Sequence, residues 1–332
     1  MKKYNVSIFV PHLGCPNNCS FCNQKSISGK SVSPTEEDVR SACEIAKKTA
    51  PSNEGEIAFF GGSFTAIERE YMVKLLKSAY PYVKEGFFKG IRISTRPDCI
   101  DSEICTLLKE YGVTSVELGC QSMDDEVLEK NLRGHTASDV ENAVKVLRDF
   151  GFETGLQMMT GLWGSSTEKD IETAEKIIAL KPDTVRIYPT IVLENTLLEK
   201  KFRAGEYKVM SLEETVELVS RLLLMFEENN IAVIRTGLHS GGNVEEGYVA
   251  GAYHPAFKEL CESRIYFEKI TEQIENLPKG DVVIKVPEGA LSQATGQKKS
   301  NRVRIEKMGF HVRFEEDKTL KKYKVSCTTL RK

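Results

Sequence analysis

Apolar and polar positions along the chain fall into two alternating rhythms. Short runs rich in β-branched and aromatic residues lie at 4–10, 56–60, 90–95, 113–118, 152–158 and 184–188. Each is followed by a stretch with the 3.6-residue apolar period of a helix, at 34–49, 67–83, 101–111, 136–150, 167–180 and 211–229. "SPTEEDV", "SSTEKDI" and "SLEETV" carry helix-start signals, a capping residue followed by acids in the first turn. Successive β/α units imply a parallel sheet with helices outside, because parallel neighbours need crossover connections. The unusual residues sit just after the strands: cysteines after the first, "GGSFT" after the second, "STRPD" after the third and "GCQS" after the fourth. Loops that converge on one mouth favour a barrel over an open doubly wound sheet.

After about residue 237 the texture changes to a Gly-rich loop, "GLHSGGNVEEGYVAGAYHPAF". A helix over 259–277 follows, then a strand at 281–286, a helix at 287–295, and short strands near 303–306, 309–314 and 323–326. The predicted fold is α/β: a partial (β/α)6 TIM-like barrel over 1–237, with a small C-terminal α+β domain over 238–332.

Size and composition add limits. A chain of 332 residues, 40% hydrophobic and 28% charged, is an ordinary globular protein able to bury a large core. Net charge is −2, so overall charge points to no partner. Its distribution is uneven: residues 297–332 hold twelve Lys/Arg against four Asp/Glu, a basic tail that is either a solvated face or a surface for RNA phosphate. No apolar run approaches the roughly 18 residues that span a bilayer, which speaks against a membrane protein. The apolar stretch at 6–10 is too short for a signal peptide. Nine cysteines, most of them single within apolar patterns, suit reduced thiols in the cytoplasm better than a disulfide framework.

"GCPNNCSFCNQ" places Cys15, Cys19 and Cys22 on one loop with no fourth cysteine nearby. A structural zinc wants four ligands, and His12 is the one close candidate. A ferredoxin-type cluster also wants four cysteines. The three thiols therefore read as ligands of a [4Fe–4S] cluster with one iron left open. Zinc and three unrelated packing thiols are the alternatives. Cys43, Cys99, Cys105, Cys120, Cys261 and Cys327 show no ligand spacing and read as packing residues.

The cysteine spacing, with Phe21 before the last of the three, resembles the signature of radical S-adenosylmethionine (radical SAM) enzymes. "FFGGSFT", "ISTRPD", "VELGCQSMDDEVLEKNLRGHT", "GLQMMTGLWG" and "VRIYPTIVLENTLLE" resemble the Elongator catalytic-subunit branch, with part of the set shared by oxygen-independent coproporphyrinogen oxidases. The likeness runs over about 4–235. It implies that the open iron binds the methionine part of S-adenosylmethionine and that reductive cleavage gives a 5′-deoxyadenosyl radical. Candidate cofactor contacts are Gly61, Gly62 and Ser63, Ser94 and Thr95, Glu117, Gln121 and Arg133, and Gln157. Gln121 and Arg133 are carried over from the coproporphyrinogen-oxidase motif. Tyr188, Tyr253 and His254 are candidates for proton shuttling or for bounding a substrate cavity.

The chain departs from the Elongator pattern in its shorter cysteine spacing, in Trp163 where relatives carry proline, and in ending too soon for an acetyltransferase domain. The resemblance implies a flavodoxin or ferredoxin electron donor and a substrate that is a tRNA base. The alternatives are a small molecule, tetrapyrrole-like or a thioester, and, from another class, a non-catalytic iron–sulfur or zinc-binding protein.

Overall fold

The structure is a computed structural model that describes residues 4–11, 15, 18–23, 32–49, 52–238 and 242–330. Seven parallel strands form one sheet: β1 (Asn5–Val10), β2 (Glu56–Gly61), β3 (Gly90–Thr95), β4 (Val113–Gln121), β5 (Glu153–Thr160), β6 (Thr184–Pro189) and β8 (Ala232–Thr236). They lie side by side in chain order, so the winding never reverses, as in a barrel and unlike a doubly wound sheet. The sheet is a partial barrel with one strand more than the six expected. The extra strand, β8, is an edge whose residues are mostly half-buried or exposed, so its sequence lacks the apolar density of its neighbours.

Helices α1 (Glu36–Thr49), α2 (Arg69–Lys84), α3 (Ser102–Glu110), α4 (Asp125–Lys130), α5 (Ala137–Asp149) and α6 (Thr167–Leu180) connect the strands. Their starts are fixed locally. Asp101 accepts the Ile104 N–H at 2.8 Å, Thr136 and Asp139 form a capping box, and Ser166 accepts from Lys169 N–H. One sheet face is apolar and buried, through Ile57, Phe59, Ile91, Ile93, Val116, Leu118, Leu156, Met158, Val185 and Ile187. Alternation puts Glu56, Arg92, Glu117, Gln157 and Arg186 on the other face. That face is the polar lining of the half-barrel.

Beyond β6 lie β7 (Ile191–Leu193), α7 (Leu197–Arg203), α8 (Leu212–Glu228), α9 (Gly242–Glu246) and β9 (Tyr248–Gly251), with β7 and β9 paired antiparallel. The chain divides into two compact units, 1–210 with 226–252, and 211–225 with 253–332. By that division the second unit takes most of α8 and then runs unbroken from residue 253. It contains α10 (Phe257–Ile274), β10 (Gly280–Pro287), α11 (Leu291–Thr295), α12 (Ser300–Lys307), β11 (Phe310–Asp317) and β12 (Ser326–Thr329), with strand order β11–β10–β12. The expected strand near 303–306 is a correction: it lies within α12. Its apolar–basic alternation imitates a strand, but Asn301 and Ile305 are buried at helical spacing and Arg302 pairs with Glu306 one turn on.

Candidate functional site

Cys15, Cys19 and Cys22 are partly buried on the loop that leaves β1. Burial pushes the Cys15 thiol up, while the Ser63 backbone N–H, which hydrogen-bonds its sulfur, and the charges of Arg96 and Arg133 oppose it. Cys22 is pushed up to about 12 by burial and then by the charges of Cys19 and Cys15. The three sulfurs are thus close enough to repel one another as thiolates, and Arg133 is a cationic neighbour that relieves both Cys15 and Cys22. Arg133, 6% exposed, is one such neighbour, donating from Nη1 to Cys19 Sγ at 3.1 Å and from Nη2 to the Gly119 carbonyl at 2.6 Å.

The cysteine loop is fastened from below by Asn131, a residue the motif reading passed over. Fully buried at the end of α4, it accepts the Ser20 hydroxyl on Oδ1 at 2.6 Å and the Ser20 N–H on its backbone carbonyl at 3.1 Å. Its Nδ2 donates to the carbonyls of Val127 (2.7 Å) and Trp163 (2.9 Å). Phe21 packs with Trp163 against Val192, Leu198 and Tyr207, and Ser20 accepts the Leu198 N–H. No spacing rule exposes Asn131, because its partner lies 111 residues away.

Gly61 ends β2 with φ 125°, and a Cβ there would collide with the Val10 carbonyl oxygen, so only glycine permits this turn beside the cysteine loop. The Gly62 N–H donates to that carbonyl at 3.0 Å. Ser63 and Thr95 are buried and bonded to each other at 2.8 Å. Thr95 also meets the Thr65 hydroxyl at 2.6 Å, and Ser63 Oγ accepts the Arg96 N–H. These hydroxyls tie the β2 and β3 ends together. Arg96, 4% exposed, grips Asp98 through two bonds of 2.9 Å and faces Cys19.

Gln121 ends β4 in the left-handed region at φ 65°, beside a register shift. Its Oε1 is buried without a partner, as is Ser94 Oγ at the end of β3. Strain and unmet hydrogen bonds at adjacent strand ends are what a polar ligand would resolve. His135 Nε2 faces the Cys120 carbonyl at 3.2 Å, and burial together with Arg133 and Arg96 pushes its pKa down to about 4, so the ring is neutral.

Glu117 is held among the charged residues of the half-barrel. Only 1% exposed, it pairs with Arg186 at 2.6 Å and Arg92 at 3.2 Å, and accepts Gln157 Nε2 at 3.1 Å. Gly155 opposite makes the room, since a Cβ there would sit 3.0 Å from Glu117 Cγ. Arg92 also binds Glu56 (2.7 Å) and Glu153 (2.6 Å), and Arg186 Nη1 donates to the Tyr188 hydroxyl at 3.4 Å. The carboxylate and the amide of Gln157 belong to one ionic network in the half-barrel. His254 Nδ1 accepts the Ala256 N–H at 3.0 Å, a loop contact, and Tyr253 lies beside it in the second compact unit.

The donor set fits a cluster. A tetrahedral zinc site wants four protein ligands; the loop supplies three cysteines, and His12, the one near fourth candidate, lies outside the described residues. Three mutually repelling thiols with cationic neighbours, and orphaned polar atoms at the next strand ends, suit a larger inorganic group with an organic ligand beside it.

Residues 9–178 match the Radical SAM superfamily, and residues 182–285 match the Radical_SAM C-terminal domain. The chain belongs to the radical SAM superfamily. It is a radical SAM enzyme, and the superfamily's cofactors are a [4Fe–4S] cluster and S-adenosylmethionine. It is 31% identical over 238 residues to a tRNA uridine(34) acetyltransferase of Dehalococcoides mccartyi, covering 61% of this chain and 52% of that protein. It is 31% identical to an uncharacterized protein of Methanocaldococcus jannaschii, covering 67% of each, and 32% identical to human Elongator complex protein 3, covering 51% of this chain and 35% of that one. The radical SAM chain thus spans about half, or less, of the acetyltransferases and Elongator proteins it resembles. In fold it is similar to Methanocaldococcus infernus Elp3 with an N-terminal deletion, at TM-score 0.62 and 23% identity, covering 82% of this chain and 63% of that one. No described helix is long and apolar enough to cross a membrane.

Proposed function

We propose that Cys15, Cys19 and Cys22 hold the [4Fe–4S] cluster and that the enzyme starts radical chemistry on a base of tRNA. When bound, the cluster and S-adenosylmethionine supply a 5′-deoxyadenosyl radical that abstracts a hydrogen atom. The chain's own residues hold and shield that chemistry. Arg133 and Arg96 balance the charge of the thiolates, and Asn131 fixes the loop that carries them. Gln121 and Ser94 offer an acceptor and a hydroxyl to the nucleoside, while Gly61 and Gly62 make the turn beside the cysteine loop.

The observation that carries the substrate class is likeness over the radical domain, at 31–34% identity, to proteins named tRNA uridine(34) acetyltransferase. The basic stretch at 297–332 supports the same reading. A flavodoxin or ferredoxin would supply the electron, and nine free cysteines suit a cytoplasmic site.

The test is anaerobic. Reconstituted protein with dithionite, S-adenosylmethionine and perdeuterated tRNA should release 5′-deoxyadenosine carrying deuterium, and Cys19→Ala should release none. Release that tRNA neither labels nor stimulates would remove tRNA as the substrate while leaving the radical chemistry in place.

A further inference from the structure

The C-terminal unit is built on a β–α–turn–α–β path: β10, α11, a four-residue turn at 296–299, α12 and β11. β10 is the middle strand, with β11 parallel on one side and β12 antiparallel on the other. Buried Ala294 and Ile305 from the helices, and Val282, Ile284 and Phe310 from the strands, supply its core.

The turn is fastened behind and open in front. Asn301, 3% exposed, donates from Nδ2 to the Ser263 carbonyl at 2.8 Å and the Ala294 carbonyl at 3.2 Å, which joins α12 to α10 and α11. Gly296 has φ 79°, and a Cβ there would come within 2.8 Å of the Asn301 nitrogen, so the two helices close up only over glycine. Gln297, Lys298 and Lys299 are all exposed. Lys298 (φ 52°) and Lys299 (φ 63°) lie in the left-handed region, which a lysine enters at a steric cost. The unit's own ion pairs do not use their charges. Arg302, Arg313 and Lys318 pair with Glu306, Glu315 and Glu288, whereas Lys298 and Lys299 have no carboxylate partner among the described residues. Val303 on α12 and Leu291 on α11 are apolar yet exposed.

We propose that this turn is a backbone clamp for single-stranded RNA. Two ammonium groups on a stiff turn suit successive phosphates, and exposed aliphatic side chains on the flanking helices suit unstacked bases. By analogy of fold, the path is that of the K-homology (KH) module, whose Gly-x-x-Gly turn between two helices clamps about four nucleotides. Here Lys299 stands at the last position of that turn and takes the left-handed backbone that glycine would adopt freely. The clamp stands independently of whether tRNA is the radical's substrate.

The experiment is fluorescence anisotropy of the full chain with a labelled oligouridylate and with an RNA duplex of the same length. The single strand should bind more tightly than the duplex and weaken with added salt. Lys298→Gln with Lys299→Gln should weaken it at least about tenfold at low salt and reduce the slope of log K against log salt by about 1.4, twice the roughly 0.7 per phosphate of a single strand. Lys299→Gly removes one charge and the backbone strain together, so the slope should fall by about 0.7 while the melting temperature holds or rises. Val303→Asn should weaken binding several-fold and leave the slope unchanged. Lys321→Gln with Lys324→Gln, exposed lysines of the same tail outside the turn, should change affinity by less than about twofold. No binding of the single strand, preference for the duplex, or equal losses in the two double variants overturns the clamp.

Deuterium transfer from tRNA to 5′-deoxyadenosine separates the two readings. Transfer without oligouridylate binding overturns the clamp and leaves the tRNA reading standing. Oligouridylate binding that the turn variants abolish, without transfer, supports the clamp and sinks the tRNA reading alone.

Discussion

Arg133 joins the sulfur of Cys19, at 3.1 Å, to the carbonyl of Gly119 on β4, at 2.6 Å. One guanidinium thereby couples the thiol loop to the strand that carries Gln121, and its two jobs can be separated by mutation. Arg133→Lys keeps a cation but loses the fork that reaches both partners. Arg133→Leu loses both and leaves the Gly119 carbonyl short of a donor, at about 1–3 kcal/mol. Iron retained per chain after anaerobic reconstitution and desalting should fall in the order wild type, lysine variant, leucine variant. Equal retention in all three would show that the contact contributes nothing to holding the cluster.

Asn131 acts on the same loop through geometry alone. Asn131→Ala orphans the Ser20 hydroxyl and the Trp163 carbonyl in a buried place, and the expected loss is about 1–3 kcal/mol. Because the loop between Cys19 and Cys22 loses its anchor, iron should be stripped by a chelator several-fold faster than from wild type. Asn131→Asp keeps the acceptor for Ser20 but sets a buried carboxylate oxygen against the Val127 and Trp163 carbonyls, and should lose iron at least as fast as the alanine variant. A chelation rate unchanged in the alanine variant would reduce Asn131 to a helix-end residue.

Much of this architecture was legible from pattern, and what was not has a common cause. The six strands and their helices show because burial imposes period 2 or 3.6 on residues close in sequence. The strand-end motifs show because clustered cysteines and paired glycines interrupt the apolar period at the end of a run. β8 escaped, since Ala232 and Ile234 on this edge are exposed and nothing forces its alternation. Glu117 was legible as a polar residue on β4 but not as an ion-pair hub, because Arg92 and Arg186 are 25 and 69 residues away. A carboxylate's partner is chosen by the fold, and local sequence is silent on it.

That hub makes a sharp prediction. Removing one member of a buried ion pair strands the other charge, at about 3–5 kcal/mol. Arg92 retains Glu56 and Glu153 when Glu117 is lost, whereas Arg186 loses its carboxylate and keeps Tyr188. Glu117→Gln should therefore destabilise the protein chiefly through Arg186. Arg186→Met should rescue much of the loss, with a coupling energy of about 1–3 kcal/mol in a double-mutant cycle of urea unfolding. Additive losses would mean that the pair does not interact energetically.

Two buried groups give opposite pH dependences in overlapping windows. His135 titrates at about 4 in the folded protein against an ordinary 6.5, so between these values the unfolded chain binds more protons and stability rises with pH. Asp170, whose carboxylate accepts the Gly161 N–H at 2.7 Å and the Ser165 hydroxyl at 2.6 Å, is raised by burial from 3.8 to about 6. There the folded chain binds more protons, so stability falls as pH rises from about 4 to 6, and the ionised carboxylate carries a cost at neutral pH. Each effect is on the order of 3 kcal/mol across its window, and in wild type the two largely cancel. His135→Gln should expose the falling limb, becoming less stable as pH goes from 4 to 6. Asp170→Asn should expose the rising one and keep gaining stability up to about pH 6.5. Chemical denaturation at half-unit steps of pH reads both, and parallel profiles for wild type and the two variants would show that neither group is perturbed by its burial.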